Sequence, residues 1–233
     1  MSTAVDAVLF DLDDTLCRYR RSSATVLEAS FARLGLDPLF EPRAYYARYG
    51  EYLEASSSVH DLRERCFADL AVEAGYDRET GVAVAEAFAA ERDQRAVDPL
   101  PGVPDVLDRI AAYRPLGLVT NGDPTMQRQK LEALDLEGTF ETSVYAGYET
   151  PPKPDPAPFE VALETLAVEP DRALYVGNSL SSDVAGAAAA GLRSVWIPTT
   201  DDPPADPDPT PDYVLETLVE LEEITCLSGK ARR

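Results

Sequence analysis

The feature that most constrains this chain is a short apolar run, Val5–Phe10, that ends abruptly in carboxylates. Such a run predicts a strand buried on both faces, as in a parallel sheet covered by helices. Asp11 and Asp13 then lie at the carboxyl end of the strand, where open α/β sheets place their ligand sites. Because side chains alternate along a strand, the two carboxylates point to the same side, and their mutual repulsion favours a bound cation.

The charge of the chain excludes several classes of partner. Its 233 residues carry 21 Lys and Arg against 42 Asp and Glu, which gives a net charge of −21. Such a field repels nucleic acid and anionic membrane surfaces. Lysine occurs only at positions 130, 153 and 230. Abundant acids with arginine as nearly the sole base are typical of proteins from salt-loving archaea, where high salt screens the self-repulsion, and an ordinary acidic soluble protein is the alternative.

The chain contains few cysteine and histidine residues. The three cysteines, Cys17, Cys66 and Cys226, show no spacing typical of a disulfide framework or a structural zinc site. His60 is the only histidine, so a Ser-His or Cys-His couple has little support. The sequence shows no basic, apolar leader and no membrane-spanning run, and it therefore predicts a cytoplasmic protein.

Two patterns of secondary structure alternate along the chain. Residues 22–97 read as helical, with Gly35, Gly75 and Gly81 at positions where helices could end. After the break at residues 98–102, short apolar strands alternate with helices, which indicates a parallel α/β sheet. The predicted domains are therefore an α/β core of residues 1–17 and 98–233 and an inserted helical domain of residues 18–97.

Three later segments place polar groups at predicted strand ends or in loops. Thr120–Gly122 offers a hydroxyl and backbone N–H groups before a predicted helix, for which Asp123 is the candidate N-cap. These groups suit a phosphate, although a plain strand-to-helix turn has the same pattern. Lys153 lies among prolines and is a candidate fixed cation. Asn178 and Asp183 follow an apolar strand, and Asp183 either reaches the same edge or caps the next helix.

In this order and context the four segments resemble the haloacid dehalogenase superfamily, whose members are mostly phosphotransferases. The resemblance covers the whole α/β portion. It implies a Rossmann-like parallel sheet with strand order 5-4-1-2-3, and it identifies the helical insertion with that family's C1 cap. It also implies Mg²⁺ as the cofactor and a small phosphorylated metabolite as the substrate.

The resemblance further implies roles for the acids. Asp11 is the expected nucleophile, which becomes an aspartyl phosphate, and Asp13 is the expected general acid and base. Mg²⁺ is expected to bind the Asp11 carboxylate, the Asp13 backbone carbonyl and an acid of the fourth segment. There the family often has Gly-Asp, and this chain has Asn178 instead of that acid. Asn178 and Asp183 are therefore both candidate metal ligands.

Further residues are expected to hold the substrate. By resemblance, Thr120 and the backbone of Asn121 and Gly122 hold the phosphoryl oxygens, while Lys153 balances the charge of nucleophile and phosphoryl group. Arg18 belongs to a locally basic stretch after the first segment and could offer a cation to an anionic substrate, or simply pair with a surface acid.

Three other functions stay open at this point. A sugar phosphomutase uses the same four segments, and a 2-haloacid dehalogenase shares the nucleophile and the cap, although Asp13 counts against it. A non-catalytic binding or regulatory protein is the third possibility, and Asn178 is its best support. The sequence leaves the choice between a monomer and a homodimer undecided.

Overall fold

The computed structural model describes residues 4–53, 55–56, 58–200 and 202–224. The chain divides into two compact units. The described parts of Met1–Arg18 and Val97–Arg233 form the first, which we call the core unit. Those of Tyr19–Ala96 form the second, which we call the helical unit.

The strands belong to two sheets. In chain order they are β1 (Ala7–Phe10), β2 (Cys17–Tyr19), β3 (Val97–Pro99), β4 (Leu116–Asn121), β5 (Thr142–Ala146), β6 (Ala173–Gly177), β7 (Arg193–Trp196) and β8 (Tyr213–Val214). Strands β2 and β3 pair with each other. The other six form a parallel sheet in the order β5-β4-β1-β6-β7-β8.

The predicted α/β class with a parallel sheet is confirmed, and the strand order needs one correction. When the six strands of this sheet are numbered 1 to 6 in chain order, the sheet runs 6-5-4-1-2-3 from the β8 edge. The predicted order 5-4-1-2-3 therefore lacks the edge strand β8. This strand has only two residues and follows a loop rich in proline and aspartate. It is too short for an apolar period to reveal it.

Helices occur in both units. They are α1 (Ser23–Leu34), α2 (Pro42–Leu53), α3 (Val59–Glu73), α4 (Arg78–Glu91), α5 (Val103–Ala111), α6 (Pro124–Ala133), α7 (Ala157–Leu166) and α8 (Ala185–Ala189). A π-helical turn, Leu180–Val184, leads directly into α8. Short 3-10 helices occupy Pro170–Arg172 and Leu218–Glu223.

The core unit is held together by the sheet and the helices on it. All four residues of β1 are buried, as expected for the centre of a parallel sheet. Helix α7 packs on β4 and β5. One buried cluster joins Leu9 of β1, Val119 of β4, Phe159 of α7 and Tyr175 of β6. The central strand β1 is therefore held by the strands on both sides of it. The residues that follow it, beginning with Asp11, start from a fixed position.

The helical unit has its own apolar core. Tyr45, Phe67 and Phe88 belong to one buried cluster, and the Tyr45 and Phe67 rings meet edge to face at 5.2 Å. Gly35 ends α1 in the left-handed conformation, as predicted. Gly81 does not end a helix. It lies inside α4 against the backbone of Phe67 in α3, where a Cβ would collide with the carbonyl oxygen.

Two further findings concern the cysteines and the membrane. Cys17 and Cys66 are free and buried, and burial raises the pKa of the Cys17 thiol to about 12 and that of Cys66 to about 11. Neither thiol is therefore a ready nucleophile. Cys226 lies outside the described residues. Across the part of the chain that the structure describes, no helix is both long enough and apolar enough to span a membrane.

Candidate active site

The register of the sheet brings the polar segments of the core unit together. Phe10 of β1 pairs with Leu118 of β4 on one side and with Val176 of β6 on the other. The residues that follow in each parallel strand therefore emerge at the same edge. Asp11 is fixed there because its backbone N–H donates to the Val176 carbonyl at 2.9 Å.

A buried ion cluster lies at this edge. The Lys153 ammonium donates to Oδ1 of Asp11 at 2.8 Å and to Oδ1 of Asp183 at 2.7 Å. It also contacts the Tyr175 hydroxyl at 2.7 Å and the Val119 carbonyl at 3.1 Å. Lys153 therefore links two carboxylates from segments that are distant in the sequence.

The cluster holds two carboxylates and one ammonium, and the pKa values of Asp11 and Lys153 both depart from their ordinary values. Burial raises the pKa of Asp11 to about 7, with Lys153 opposing the shift and Asp183 adding to it. Burial alone would lower the pKa of Lys153, but the two carboxylates raise it above its ordinary value. When both carboxylates are ionised, the single ammonium leaves one negative charge uncompensated beside Asp11, which favours a bound cation.

Asp183 is anchored from both of its carboxylate oxygens. Oδ1 accepts from Lys153 and from the Tyr175 hydroxyl, the latter at 3.3 Å. Oδ2 accepts the backbone N–H groups of Asn178 at 3.1 Å and of Ser179 at 2.9 Å. A Cβ at Gly177 would come within 2.5 Å of this carboxylate, so the close approach requires glycine. Asp183 therefore orders the loop that carries Asn178.

Asn178 stays close to the first segment. Its amide oxygen accepts from the Thr15 hydroxyl at 3.4 Å, and its backbone carbonyl accepts from the Trp196 indole at 2.8 Å. The first contact holds the side chain near the loop that contains Asp13, and the second fixes the Asn178 backbone. The amide oxygen is a hard, uncharged donor of the type that Mg²⁺ accepts.

Asp13 is held by two residues of α6 that the sequence analysis did not single out. The Lys130 ammonium lies 2.7 Å from both oxygens of the Asp13 carboxylate. Nε2 of Gln127 donates to Oδ2 of Asp13 at 3.1 Å and to the Thr120 hydroxyl at 2.8 Å. The carboxylate of Asp13 is thus tied to β4 through α6.

The structure matches the expectation for residues 120–123 only in part. Asp123 caps α6 as predicted, accepting the N–H groups of Thr125 and Met126 at 2.9 and 3.0 Å. The Asn121 side chain accepts the Lys153 N–H at 2.9 Å and donates to the Lys153 carbonyl at 3.2 Å, so it braces the lysine loop. The Gly122 N–H donates to the Ala146 carbonyl at 3.2 Å. The Gly122 N–H is therefore engaged by the neighbouring strand β5 and is not free to bind a phosphoryl oxygen.

Two cavities of the core unit adjoin at Asp14. The smaller, about 210 Å³, is lined by Asp11, Asp13, Asp14, Thr120, Asn121, Lys153, Asn178, Ser182 and Asp183. It gathers the candidate residues of all four segments except Gly122 and Arg18. Arg18 lines the larger cavity, about 610 Å³, together with Asp14, Thr15 and residues of the loop after β7. Four carboxylates and one ammonium line the first cavity, so it suits a cation, and it suits a small anionic group only together with that cation. The second cavity has room for a larger organic part.

Sequence reasoning missed Gln127, Lys130 and Tyr175. Two of these left a signal. Lys130 is one of three lysines in the chain, and Gln127 precedes it by three residues, so both share one helix face. Tyr175 lies inside an apolar strand and reads as core, because nothing in the sequence shows that its hydroxyl meets Lys153.

Comparison with known proteins identifies the family. A profile of haloacid dehalogenase-like hydrolases matches residues 5–191. Phosphoserine phosphatase of Thermus thermophilus is 33% identical over 92% of this chain and 96% of its own length. Glyceraldehyde 3-phosphate phosphatase of Methanopyrus kandleri is 31% identical over 94% and 97%, respectively.

Solved structures agree with this result. A 2-haloacid dehalogenase of Pseudomonas syringae superimposes with a TM-score of 0.67 at 28% identity and covers 95% of this chain and 98% of its own. A predicted phosphoglycolate phosphatase of Haemophilus somnus gives a TM-score of 0.74 and covers 97% and 100%. Its identity is 21%, so it supports the fold alone. On the profile match and the full-length relatives together, the chain belongs to the haloacid dehalogenase-like hydrolase family.

Proposed function

We propose that this protein is a magnesium-dependent phosphatase that hydrolyses a small phosphorylated metabolite through an aspartyl phosphate at Asp11. The observation that carries the proposal is the convergence of Asp11, Asp13, Thr120 and Lys153 on one cavity of about 210 Å³. A nucleophile, an acid and base, a hydroxyl and a fixed cation are the groups that phosphoryl transfer requires. The phosphatase relatives that align along the whole chain support the same reaction.

In the first step Oδ of Asp11 forms a bond to phosphorus as the bond to the leaving oxygen breaks. Asp13 gives its proton to that oxygen, so the product leaves as an alcohol. In the second step water attacks phosphorus, Asp13 takes the proton from water, and the Asp11 carboxylate is released with inorganic phosphate. Lys153 and the Thr120 hydroxyl hold the phosphoryl oxygens during both steps.

The donor set at the site fits a magnesium ion. Among the described residues there is no group of three His, Cys, Asp or Glu side chains placed to hold a metal. Mg²⁺ keeps several waters and needs few protein ligands, so this finding is compatible with it. The ligands we propose are the Asp11 carboxylate, the Asp13 backbone carbonyl and the Asn178 amide oxygen. Bound there, the ion supplies positive charge beside the phosphoryl group.

This assignment favours Asn178 over Asp183 as the ligand in the fourth segment. Both oxygens of Asp183 already accept hydrogen bonds, from Lys153 and Tyr175 on one side and from two backbone N–H groups on the other. Moving Asp183 to a metal would break these contacts. We therefore propose that Asp183 positions Lys153 and the Asn178 loop, and contacts the metal at most through water.

The remaining expectations form part of the same proposal. The helical unit, Tyr19–Ala96, is the family's C1 cap, which limits the substrate to small molecules. Arg18 in the larger cavity binds a second anionic group of the substrate. The net charge of −21 indicates an enzyme that works in a salt-rich cytoplasm. Phosphoserine and glyceraldehyde 3-phosphate are the first candidate substrates, because two full-length relatives carry their names. Phosphoglycolate is the third, on the family resemblance of the sequence.

A 2-haloacid dehalogenase is the second candidate, because a solved structure of that description superimposes on 95% of this chain. The test compares hydrolysis of p-nitrophenyl phosphate and the three candidate substrates with release of halide from a 2-haloacid, all in high salt with and without Mg²⁺. We expect phosphate release that requires Mg²⁺ and that Asp11→Asn abolishes in a folded protein. Halide release without phosphate release would overturn the phosphatase proposal and establish the dehalogenase.

A further inference from the structure

The larger cavity of the core unit contains a carboxylate that takes no part in phosphoryl transfer. Three charged residues line this cavity of about 610 Å³, and they are Asp14, Arg18 and Glu216. Asp14 also lines the smaller cavity with Asp11, so the two cavities share a wall. Two carboxylates and one guanidinium leave a net negative charge in the larger cavity. It therefore favours a ligand that brings a cationic group as well as an anionic one.

The backbone at Glu216 is held in place by the turn that follows it. Oε2 of Glu220 accepts the Glu216 N–H at 3.3 Å. Oε1 of Glu220 accepts the Thr217 N–H at 3.0 Å and the Thr217 hydroxyl at 2.9 Å. These contacts belong to the capping box of the 3-10 helix Leu218–Glu223, which packs on α5. The carboxylate of Glu216 therefore extends into the cavity from an anchored turn.

The Arg18 guanidinium and the Glu216 carboxylate line the same cavity without pairing. Among the described residues, neither side chain makes an ion pair or a side-chain hydrogen bond. Both residues are exposed, so their side chains are able to turn toward a ligand. A small molecule with one carboxylate and one ammonium would give each of them a charge-assisted hydrogen bond.

We propose that the substrate is a phosphorylated amino acid, whose carboxylate binds Arg18 and whose ammonium binds Glu216. This inference rests on the proposed function, in which the phosphoryl group lies in the smaller cavity beside Asp11. It makes Glu216 the residue that selects the leaving group by its charge. Glu216 repels the carboxylate of phosphoglycolate and offers no ion pair to glyceraldehyde 3-phosphate. Among the three candidate substrates, phosphoserine alone carries both charged groups.

Four alkyl phosphates separate the two charges of the leaving group. Phosphoserine carries the ammonium and the carboxylate, phosphoethanolamine the ammonium alone, phosphoglycolate the carboxylate alone, and ethyl phosphate neither. p-Nitrophenyl phosphate is the reference for phosphatase activity itself. Salt screens exposed charges, with a Debye length of about 3 Å at 1 M. The values of kcat/KM with Mg²⁺ are therefore measured at the lowest salt concentration at which the protein stays folded, and again in high salt.

Glu216→Gln removes the charge of the side chain and keeps its shape. At low salt we expect it to lower kcat/KM about tenfold for phosphoserine and phosphoethanolamine, mainly through KM. It should not lower kcat/KM for phosphoglycolate or ethyl phosphate, and high salt should reduce the tenfold difference. Glu137→Gln is the matched control, since Glu137 is an exposed residue of the core unit that lines neither cavity, and it should change none of the values.

An equal loss on all four alkyl phosphates, or no loss on the two that carry an ammonium, would overturn the role of Glu216 and leave the proposed function standing. The same conclusion follows from a wild type that hydrolyses p-nitrophenyl phosphate and neither of the two ammonium-bearing substrates. A folded wild type that releases phosphate from none of the five compounds would overturn both the inference and the proposed function.

Discussion

The ammonium of Lys153 lies 2.8 Å from Oδ1 of Asp11, and both side chains are buried. The two residues are 142 positions apart in the sequence, and the parallel register of β1 and β4 together with the Asn121 brace brings them together. This contact places a fixed cation beside the proposed nucleophile. Because the contact is buried, a substitution at Lys153 should change both the turnover and the free energy of unfolding.

Lys153→Met should abolish turnover and destabilise the protein, because it leaves Asp11 and Asp183 buried without their cation. Breaking a buried ion pair in this way costs roughly 3–5 kcal/mol of unfolding free energy. Denaturant unfolding in high salt measures the loss. The double variant Lys153→Met, Asp183→Asn should regain part of the stability and none of the activity, because it removes one of the two unpaired charges. A double variant no more stable than Lys153→Met would contradict the electrostatic account of the cluster.

Asn178→Asp should tighten magnesium binding, because it places a charged ligand where the structure has a neutral amide oxygen. We expect the Mg²⁺ concentration that gives half-maximal turnover to fall about tenfold. Ser181→Asp is the control, since it adds the same charge at an exposed position of the π-helical turn that follows Asn178. An equal fall in both variants would show a general field effect and would count against Asn178 as a ligand.

Arg18→Gln should weaken substrates that carry a second anionic group. Arg18 lines the larger cavity, and among the described residues it makes no ion pair. We expect KM for phosphoglycolate to rise about tenfold, as for loss of one charge-assisted hydrogen bond, while KM for p-nitrophenyl phosphate stays the same. Arg43→Gln removes one charge from an exposed site on the helical unit and should change neither value. If phosphoglycolate is not hydrolysed, phosphoserine takes its place in the same comparison.

The sequence predicted the elements of the core unit well because each has a strong local signal. The apolar run before Asp11, the Asp123 cap and the alternation of strands and helices are all readable over a few residues. Gly81 was misread because its small size serves packing of α4 on α3, and that contact joins positions that are apart in the chain. Strand β8 was left out of the predicted strand order because its two residues are too few to show a strand period.

The site was predictable only in part for the same reason. Asp11, Asp13, Thr120 and Lys153 belong to short segments with a recognisable order, and the structure lines one cavity with all four. Lys130 approaches Asp13 across 117 positions, and no local pattern encodes that contact. Use of the Gly122 N–H within the sheet edge is likewise a matter of tertiary register, which a turn signal does not reveal.

The central claim is that Asp11 attacks phosphorus, and covalent trapping tests it most directly. The enzyme is quenched in acid during turnover of p-nitrophenyl phosphate with Mg²⁺ in high salt, and the acyl phosphate is then reduced with borohydride. Reduction converts a phosphorylated aspartate to homoserine, which mass spectrometry locates in the sequence. We predict homoserine at position 11 in the wild type and none in Asp11→Asn. Active enzyme that yields no homoserine at position 11, or yields it at another aspartate, would contradict the account.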